Sequence, residues 1–534
     1  MATGHRPVGL EPQGASADVP VRMLLAVWLA AFVLRLLHND ALLADPLYFN
    51  PLGGNLPYLI AAESISGGDL IPFDGPVSLN SPAYPYLLAA LYEVLGVNAF
   101  YGVRVVTGAI DAGTCALVAL LAFRHWGPVA GWASGLLLAV YGPLIFFAAD
   151  LNEVPFTLFL LTAGVVVLDR AGRVGHYAVG GLLLGLTAAT RPNVLLAGLA
   201  ALAVPWMRRF PRPAVATLAL GAGLLTGVAP VTLLNAAASG QFVLLTTGAG
   251  HNFYIGHNPE AQAQYSLPAS LDGDIFESMK GLAEEIEGRS FDDTEVSGWY
   301  LRRGLDHLTT DPGRELELLG RRALLLVNDF EATTYANYDY QQAYSPLLRW
   351  APSFSLLFAL AIPGMMLGAR RRLFHLWLPI LTAAATVLLF FYISRLRVVM
   401  VPGLGVFAGA TIAVALAHLR ARDWRRLATI MIAASLAGAL ASLPLLRSDT
   451  SNEWNKAGGV LRMAGDLEGA EAAFLRARAE NAENPNAWLN LAGLYEATAR
   501  PDDAEAARRA AEDILARGAD DADAYRRALE NGTR

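Results

Sequence analysis

Long apolar runs alternate with shorter polar segments along most of the chain, from residue 21 to residue 446. In lipid, backbone groups must find hydrogen-bond partners within their own segment, so a run of about 20 apolar residues is typical of a membrane-spanning helix. Eleven runs fit this pattern, at approximately 21–37, 100–123, 129–148, 153–169, 175–190, 193–207, 214–236, 353–369, 373–393, 398–418 and 427–446. The pattern predicts an all-α fold, a polytopic helical membrane bundle of about eleven transmembrane helices.

The distribution of arginine predicts which side of the membrane each connecting segment faces. Alternate loops carry arginine, as at Arg124, Arg208 and Arg372, whereas the segment 36–103 contains no Lys or Arg. Because cytoplasmic loops collect Lys and Arg, residues 1–20 are predicted to form a cytoplasmic tail and the C terminus to lie outside.

Two segments on the predicted outer side, 38–99 and 237–352, are too long to be simple connectors. The first contains a helix-like stretch, Pro85–Leu95, and the second an amphipathic stretch, Glu315–Val327, that favours the membrane interface. Long ordered loops outside a helical bundle usually carry binding or chemistry, so we expect the functional site there.

The segment 451–534 has a different composition and a fixed repeat. Ala, Glu, Arg and Asp predominate, and the pairs Trp454/Trp488, Ala470/Ala504 and Ala477/Ala511 are each 34 residues apart. That period and spacing predict a tetratricopeptide-repeat domain. Two full repeats are fewer than a free-standing array needs, so the tail is expected to pack on the outer loops or on a protein partner. Its role, either a stabilising lid or a docking module, stays open at this stage.

Composition excludes several classes of protein. Apolar residues make up 54% of the chain and charged residues 16%, against about 25% charged in soluble domains, which excludes a soluble cytosolic enzyme. The net charge of −7 shows no basic excess, so a nucleic-acid partner is not expected. Cys115 is the only cysteine, so no intrachain disulfide forms.

Charged residues at the outer ends of apolar runs are the candidates for chemistry, because a charge near the bilayer is costly unless it is paired or functional. Guanidinium groups suit phosphate, which indicates Arg191, Arg395 and Arg397 as phosphate ligands. A carboxylate can accept a proton from an acceptor group, and Asp45, Asp150 and Glu153 lie on the same side. Asp111, within the second run, is instead expected to be the buried partner of an arginine.

Several short motifs, taken in order, resemble bacterial members of the C-type (GT-C) glycosyltransferase superfamily, the protein O-mannosyltransferase and aminoarabinose-transferase-like group. The matching stretches are SPAYPY at 81–86, TRPN at 190–193, APVT at 229–232, GQF at 240–242, NFYIGHNP at 252–259 and SRLR at 394–397. The resemblance spans about 21–446, and a tetratricopeptide tail is a domain pairing known in that group.

The resemblance implies an inverting enzyme of the bacterial inner membrane that uses a polyprenyl-phosphate-linked sugar on the periplasmic side. The acceptor would be a glycan, a lipid or a protein. Outer arginines would hold the lipid phosphate, and an acid of the first outer loop would be the base. Asp150, Glu153 and Asp45 are the candidates for the catalytic role. The sugar or lipid head would be positioned by Tyr84, Asn193, Asn252 and Tyr254.

One position departs from the group's pattern. The group places an Asp shortly before a Tyr, and the matching stretch 53–62 holds no carboxylate there. Asp45 substitutes if the loop folds back, or Asp150 and Glu153 do the work. The alternatives are an oligosaccharide ligase or polymerase that uses lipid-pyrophosphate glycans, and a non-catalytic membrane scaffold with a docking tail. A divalent metal is compatible with the group, but no cluster in the sequence demands one, so no metal ligands are predicted.

Overall fold

The computed structural model describes residues 20–50, 55–72, 81–268, 275–332 and 336–531. Across these ranges the ordered elements are helices, and one isolated bridge pairs Gln264 with Tyr392. The predicted all-α class is therefore confirmed. The predicted cytoplasmic tail, residues 1–20, lies outside the described residues except for Pro20.

Each predicted apolar run coincides with a helix or a pair of helices. Their bounds are α1 (Val21–Ala41), α4 (Phe100–Val140), α5 (Gly142–Ala149), α6 (Val154–Asp169), α7 (Val174–Thr190), α8 (Leu195–Ala201), α9 (Val204–Met207), α10 (Pro213–Ser239), α17 (Phe354–Leu367), α18 (Phe374–Leu389), α20 (Val401–Arg420) and α21 (Trp424–Ala441). The intervening and later numbers belong to helices of the outer segments and of the tail.

Within the described ranges, five helices are long and apolar enough to cross a membrane, and a sixth span results if α5 and α6 count as one broken helix. Three shorter apolar helices accompany them, at Val174–Thr190, Pro192–Met207 and Phe354–Leu367. The chain is a multi-pass membrane protein, and the count of eleven spans stays a prediction.

The longest helix, α4, is two helices joined at a kink. Gly127 has φ 82° and ψ −173°, and Pro128 follows it. Glycine adopts this conformation at little cost, whereas the proline ring removes a donor and cannot continue a regular helix. The kink therefore separates the second and third predicted runs.

Small residues allow the bundle helices to approach closely. A side chain on Gly181 of α7 would collide with the carbonyl oxygen of Leu220 in α10, and one on Gly364 of α17 would collide with that of Phe407 in α20. Backbones this close obtain dispersion contacts along their whole length, which is how helices associate where lipid removes the hydrophobic driving force.

The outer segments are also helical. The first contains α2 (Leu56–Ser66) and α3 (Tyr84–Leu95), and the second contains α11 (Ala249–Gly256), α12 (Ile275–Glu287), α13 (Asp293–Thr310), α14 (Pro312–Leu326), α15 (Tyr338–Gln341) and α16 (Pro346–Trp350). A four-residue turn of helix, α19 (Ser394–Arg397), precedes α20. Both helical stretches predicted within these segments are present, as α3 and α14.

The tail forms four helices, α22 (Ser451–Met463), α23 (Leu467–Glu480), α24 (Pro485–Ala497) and α25 (Pro501–Asn531). The starts of α22 and α24 are 34 residues apart, as are those of α23 and α25. The assignment to the tetratricopeptide class stays a prediction. The tail packs on the second outer segment, where the ring of Trp454 lies 4.9 Å from that of Tyr340.

Candidate functional site

Two depressions meet at the short turn 150–153 between α5 and α6. The first, which we call the polar cleft, has a volume of about 580 Å³ and is lined by Asp45, Leu47, Tyr48, Asn55, Arg104, Ala149, Asp150, Leu151, Ala336, Asn337, Tyr340, Gln341, Glu453 and Lys456. The second, the apolar groove, has a volume of about 1000 Å³ and is lined by Arg191, Pro192, Asn193, Leu195, Leu196, Leu199, Thr246, Gly248, Ala249, Asn252, Thr386, Leu389, Phe390, Phe391, Ile393, Arg395 and Leu396.

The turn holds Asp150 in a defined orientation. The side-chain amides of Asn55 and Asn152 donate to its two carboxylate oxygens, at 3.1 Å and 2.6 Å. Asn152 also accepts from the backbone N–H of Val154 at 2.8 Å, which satisfies one of the free donors at the start of α6. Since α5 and α6 meet at 120°, Asp150 is turned out of both helices and into the polar cleft.

Asp45 joins Asp150 in the polar cleft, although the two are far apart in the sequence. One of its oxygens accepts from the hydroxyl of Tyr340 at 2.8 Å and from the backbone N–H of Leu47 at 2.9 Å. Burial raises the pKa of the Asp45 carboxyl above its usual value, against the opposing effect of these hydrogen bonds. The first outer segment therefore does fold back and place an acid beside Asp150.

Arg104, in the first turn of α4, supplies positive charge to the same cleft. Its Nε donates to the carbonyl oxygen of Ala149 at 2.7 Å, and its guanidinium lies 3.9 Å from the centre of the Tyr48 ring. The side chain is 8% exposed, and its Nη1 has no hydrogen-bond partner among the described residues. A buried N–H group of this kind is available to a ligand that brings an oxygen atom.

Glu153 and Arg191 connect the polar cleft with the apolar groove. Arg191 follows the last residue of α7 and forms a buried ion pair with Glu153. The second carboxylate oxygen of Glu153 has no partner among the described residues, and neither has the buried hydroxyl of Tyr84. Burial raises the pKa of Tyr84 well above its usual value, and the charges of Glu153 and Asp150 add to that effect.

The apolar groove collects four of the predicted site residues. Arg191, Asn193, Asn252 and Arg395 line it together, and the other lining residues are mostly Leu, Ile and Phe. Asn193 is oriented by Thr386, whose hydroxyl accepts from its amide at 3.3 Å. A groove with apolar walls and guanidinium groups suits a lipid that carries an anionic head.

Two predicted residues lie elsewhere. Arg397 is 2% exposed, forms an ion pair with Glu331 and packs 4.0 Å from the centre of the Phe354 ring, so the structure places it inside the fold and not among the residues that line the groove. Tyr254 is buried with its ring 4.9 Å from that of Tyr300.

Comparison with solved structures finds membrane enzymes of two kinds. The crystal structure of ArnT from Cupriavidus metallidurans bound to undecaprenyl phosphate is 15% identical, covers 74% of this chain and 78% of that chain, and has a TM-score of 0.34. ArnT in the apo state is 16% identical with the same coverage and TM-score. The Archaeoglobus fulgidus oligosaccharyltransferase in the apo form is 13% identical, covers 83% of this chain and 58% of that chain, and has a TM-score of 0.45.

Both enzymes are GT-C superfamily membrane glycosyltransferases. They belong to the superfamily that the sequence motifs resemble. No protein-family model matches the chain, and no curated protein matches it. TM-scores this low establish neither activity nor substrate for this chain.

Sequence reasoning missed several members of the polar cleft. Asn55, Glu453 and Lys456 were not predicted, although Asn55 falls in the stretch that lacks the expected acid. Asp111, by contrast, is bonded to Arg35 at 2.7 Å, which confirms the prediction of a buried arginine partner.

A cluster of metal-ligand types was also missed. His125 and His375 each lie within 3.0 Å of one oxygen of Asp169, and Arg124 lies 3.0 Å from the other oxygen. The two histidines and the aspartate come from three separate helices, so spacing along the chain gave no signal. With the Arg124 guanidinium already beside the carboxylate, this cluster is an ion-pair network between helix ends.

Proposed function

We propose that this protein is a membrane glycosyltransferase that moves a sugar from a polyprenyl-phosphate carrier to an acceptor on the outer side of the membrane. The observation that carries the proposal is the arrangement around the turn 150–153. Asp150 faces a polar cleft, and Glu153 bonds to an arginine of an apolar groove. One turn thus joins a site for an acceptor with a site for a lipid phosphate.

The donor would lie in the apolar groove. Its polyprenyl chain would contact the Leu, Ile and Phe side chains, and its phosphate would accept hydrogen bonds from Arg191 and Arg395. The negative charge on the phosphate increases as the sugar leaves, and fixed guanidinium groups stabilise that charge in a site of low water content. Asn193 and Asn252 would position the sugar or the lipid head.

The acceptor would lie in the polar cleft. We assign the role of general base to Asp150, because two amides fix its orientation and because it shares a turn with Glu153. Its carboxylate takes the proton of the acceptor group while that group attacks the anomeric carbon from the face opposite the phosphate, so the configuration inverts. Asp45 would bind the acceptor hydroxyl, and Glu153 would hold Arg191 in place.

Tyr84, Arg397 and Tyr254 have supporting roles in this proposal. Tyr84 lies buried near the two acids of the turn, and Arg397 fixes the loop of Glu331 near the base of α20. Tyr254 packs the second outer segment together.

A divalent metal would find hard oxygen ligands in the polar cleft. Asp45 and Asp150 offer carboxylates, and the amide oxygen of Asn55 has no partner among the described residues. Oxygen ligands of this type suit Mg²⁺ or Ca²⁺, which would supply positive charge next to the acceptor. The proposed mechanism takes no step through such an ion, because Arg104 already places a cation in the cleft.

The orientation and the tail complete the proposal. The arginine-rich loops favour a cytoplasmic N terminus in a bacterial inner membrane, with the outer segments and the predicted tetratricopeptide domain in the periplasm. The tail packs on the second outer segment through Trp454, which supports a role near the site. A protein partner bound through the tail is a further part of the proposal.

The test is transfer by the purified protein in lipid nanodiscs. Undecaprenyl-phosphate sugars with a radiolabelled sugar are supplied as donors, and lipid-pyrophosphate oligosaccharides are supplied in parallel. The wild type should transfer the label from the monophosphate donors, and Asp150→Asn should lower the rate by about 100-fold or more. Asp69→Asn, at an exposed acid of the first outer segment, is the matched control and should transfer normally.

Two results would contradict the proposal. One is full transfer by Asp150→Asn, which would remove the assigned base. The other is turnover of lipid-pyrophosphate oligosaccharides alone, which would favour the ligase or polymerase alternative.

A further inference from the structure

The first helix of the tail, α22, forms one wall of the polar cleft. Glu453 and Lys456 are one helical turn apart, so they share a face of α22, and both line the cleft with Asp45 and Asp150. They are 3.8 Å apart as an ion pair. The cleft is therefore built from four regions of the chain, one of which is the tail.

Several contacts hold α22 in this position. The ring of Trp454 packs against Tyr340, the residue whose hydroxyl binds Asp45, and Arg476 of α23 lies 4.6 Å from the centre of the Trp454 ring. The amide of Asn337 also donates to the backbone carbonyl oxygen of Asp449, just before α22, at 3.1 Å. The wall is thus fixed to the same tyrosine that orients one of the candidate catalytic acids.

The lining of the cleft indicates the chemistry of its ligand. Ten of the fourteen lining residues are polar or charged, including three carboxylates and two cations. The carboxylates accept hydrogen bonds, and the cations and amides donate them. A hydroxyl group both donates and accepts, so a ligand with several hydroxyl groups satisfies such a mixed surface, whereas an acyl chain leaves the buried polar groups unsatisfied.

Two groups in the cleft offer bonds that the protein itself does not use. The Nη1 of Arg104, in a side chain 8% exposed, has no partner among the described residues. Burial raises the pKa of Glu453 to about 7, with the nearby charge of Asp45 also raising it and that of Lys456 opposing. At neutral pH the Glu453 carboxyl is therefore able to donate or to accept a hydrogen bond.

We propose that the acceptor is a saccharide and that Glu453 and Lys456 of the tail bind it, so that the tail helps to select the acceptor. This inference rests on the proposed function, because it names the acceptor class for the same site. It assigns the two tail residues a positioning role and leaves proton transfer with Asp150.

The experiment measures saccharide binding and transfer separately, in the full-length protein in nanodiscs. Saturation-transfer NMR with a panel of free disaccharides reports binding without any donor. Transfer of labelled sugar from undecaprenyl-phosphate donors is then measured with three acceptor classes, namely the disaccharides, a serine- and threonine-containing peptide, and phosphatidylglycerol. The variants are Glu453→Gln and Lys456→Met. The matched controls are Arg462→Met at the exposed end of α22 and Glu468→Gln at the exposed start of α23.

We expect the label to pass to saccharide. Loss of a hydrogen bond to a charged group should raise the KM for saccharide by about tenfold or more in Glu453→Gln and Lys456→Met. The KM for the donor should stay within about twofold of the wild-type value, because neither residue lines the apolar groove. Both controls should match the wild type in binding and in transfer.

Different results would overturn the two proposals. Transfer to the peptide or the phospholipid alone would overturn the saccharide assignment and leave the proposed function intact. Saccharide transfer with an unchanged KM in both tail variants would overturn the role of the tail alone. Absence of transfer from every donor, together with absence of saccharide binding, would overturn both.

Discussion

Arg395 and Arg397 are two residues apart, yet we predict opposite consequences when each loses its charge. Arg395 lines the apolar groove, whereas Arg397 is buried and paired with Glu331. We predict that Arg395→Met weakens the binding of undecaprenyl phosphate and leaves folding intact. Arg397→Met should instead destabilise the fold and affect lipid binding only through that loss.

The magnitudes follow from the two environments. A hydrogen bond to a charged group contributes about 1.5–3 kcal/mol, so removal of the Arg395 guanidinium should raise the Kd by about 10- to 150-fold. Removal of one member of a buried ion pair costs about 3–5 kcal/mol, because the other charge stays buried without a partner. For Arg397 that partner is Glu331, whose pKa is raised by burial even with the guanidinium present.

Two assays on the protein in nanodiscs separate these effects. Intrinsic tryptophan fluorescence follows titration with undecaprenyl phosphate, and thermal denaturation follows stability. The double variant Arg397→Met/Glu331→Gln removes the unpaired charge and should recover part of the stability that Arg397→Met loses. An unchanged Kd in Arg395→Met, or normal stability with weakened lipid binding in Arg397→Met, would refute the reasoning.

Three further predictions concern the polar cleft and the tail. Asn55→Ala removes one of the two amides that fix Asp150, so the kcat of transfer should fall by about tenfold with an unchanged donor KM; a normal kcat would argue against this orienting role. Trp454→Ala should loosen the tail and speed proteolysis between α21 and α22, whereas Trp488→Ala, within the tail's own core, should not; equal cleavage would contradict the docking contact. Because the pKa of Glu453 is raised to about 7 in the folded protein, the stability that its protonated form contributes is lost as the pH rises through about 7. The melting temperature of the wild type should therefore fall more than that of Glu453→Gln between about pH 5 and pH 8, and parallel decreases would contradict the burial of this carboxyl.

Hydrophobic patterning predicted the helices well, because the period of apolar residues and the length of each run are local properties. The eleven runs all coincide with helices, and the glycine-proline pair at 127–128 marks the break between two of them. The amphipathic stretch of the second outer segment became α14 for the same local reason.

The site was predictable only in part, because its geometry depends on contacts between distant segments. Motifs identified Arg191, Asn193, Asn252 and Arg395, and the structure brings these four into one groove. No local pattern distinguishes Arg395 from Arg397, since the difference lies in which side of one helical turn faces Glu331. The contribution of Lys456 was equally hidden, because it arises from the docking of a separate domain.

The central claim is that Arg191 and Arg395 hold a lipid-borne phosphate beside the turn 150–153. The most direct measurement is the position of that phosphate in a cryo-electron microscopy map of the protein in nanodiscs with undecaprenyl phosphate. We predict phosphate density at hydrogen-bond distance, about 2.7–2.9 Å, from both guanidinium groups, with the polyprenyl chain along the apolar groove. Phosphate density on another surface of the bundle, with the groove empty, would contradict the account.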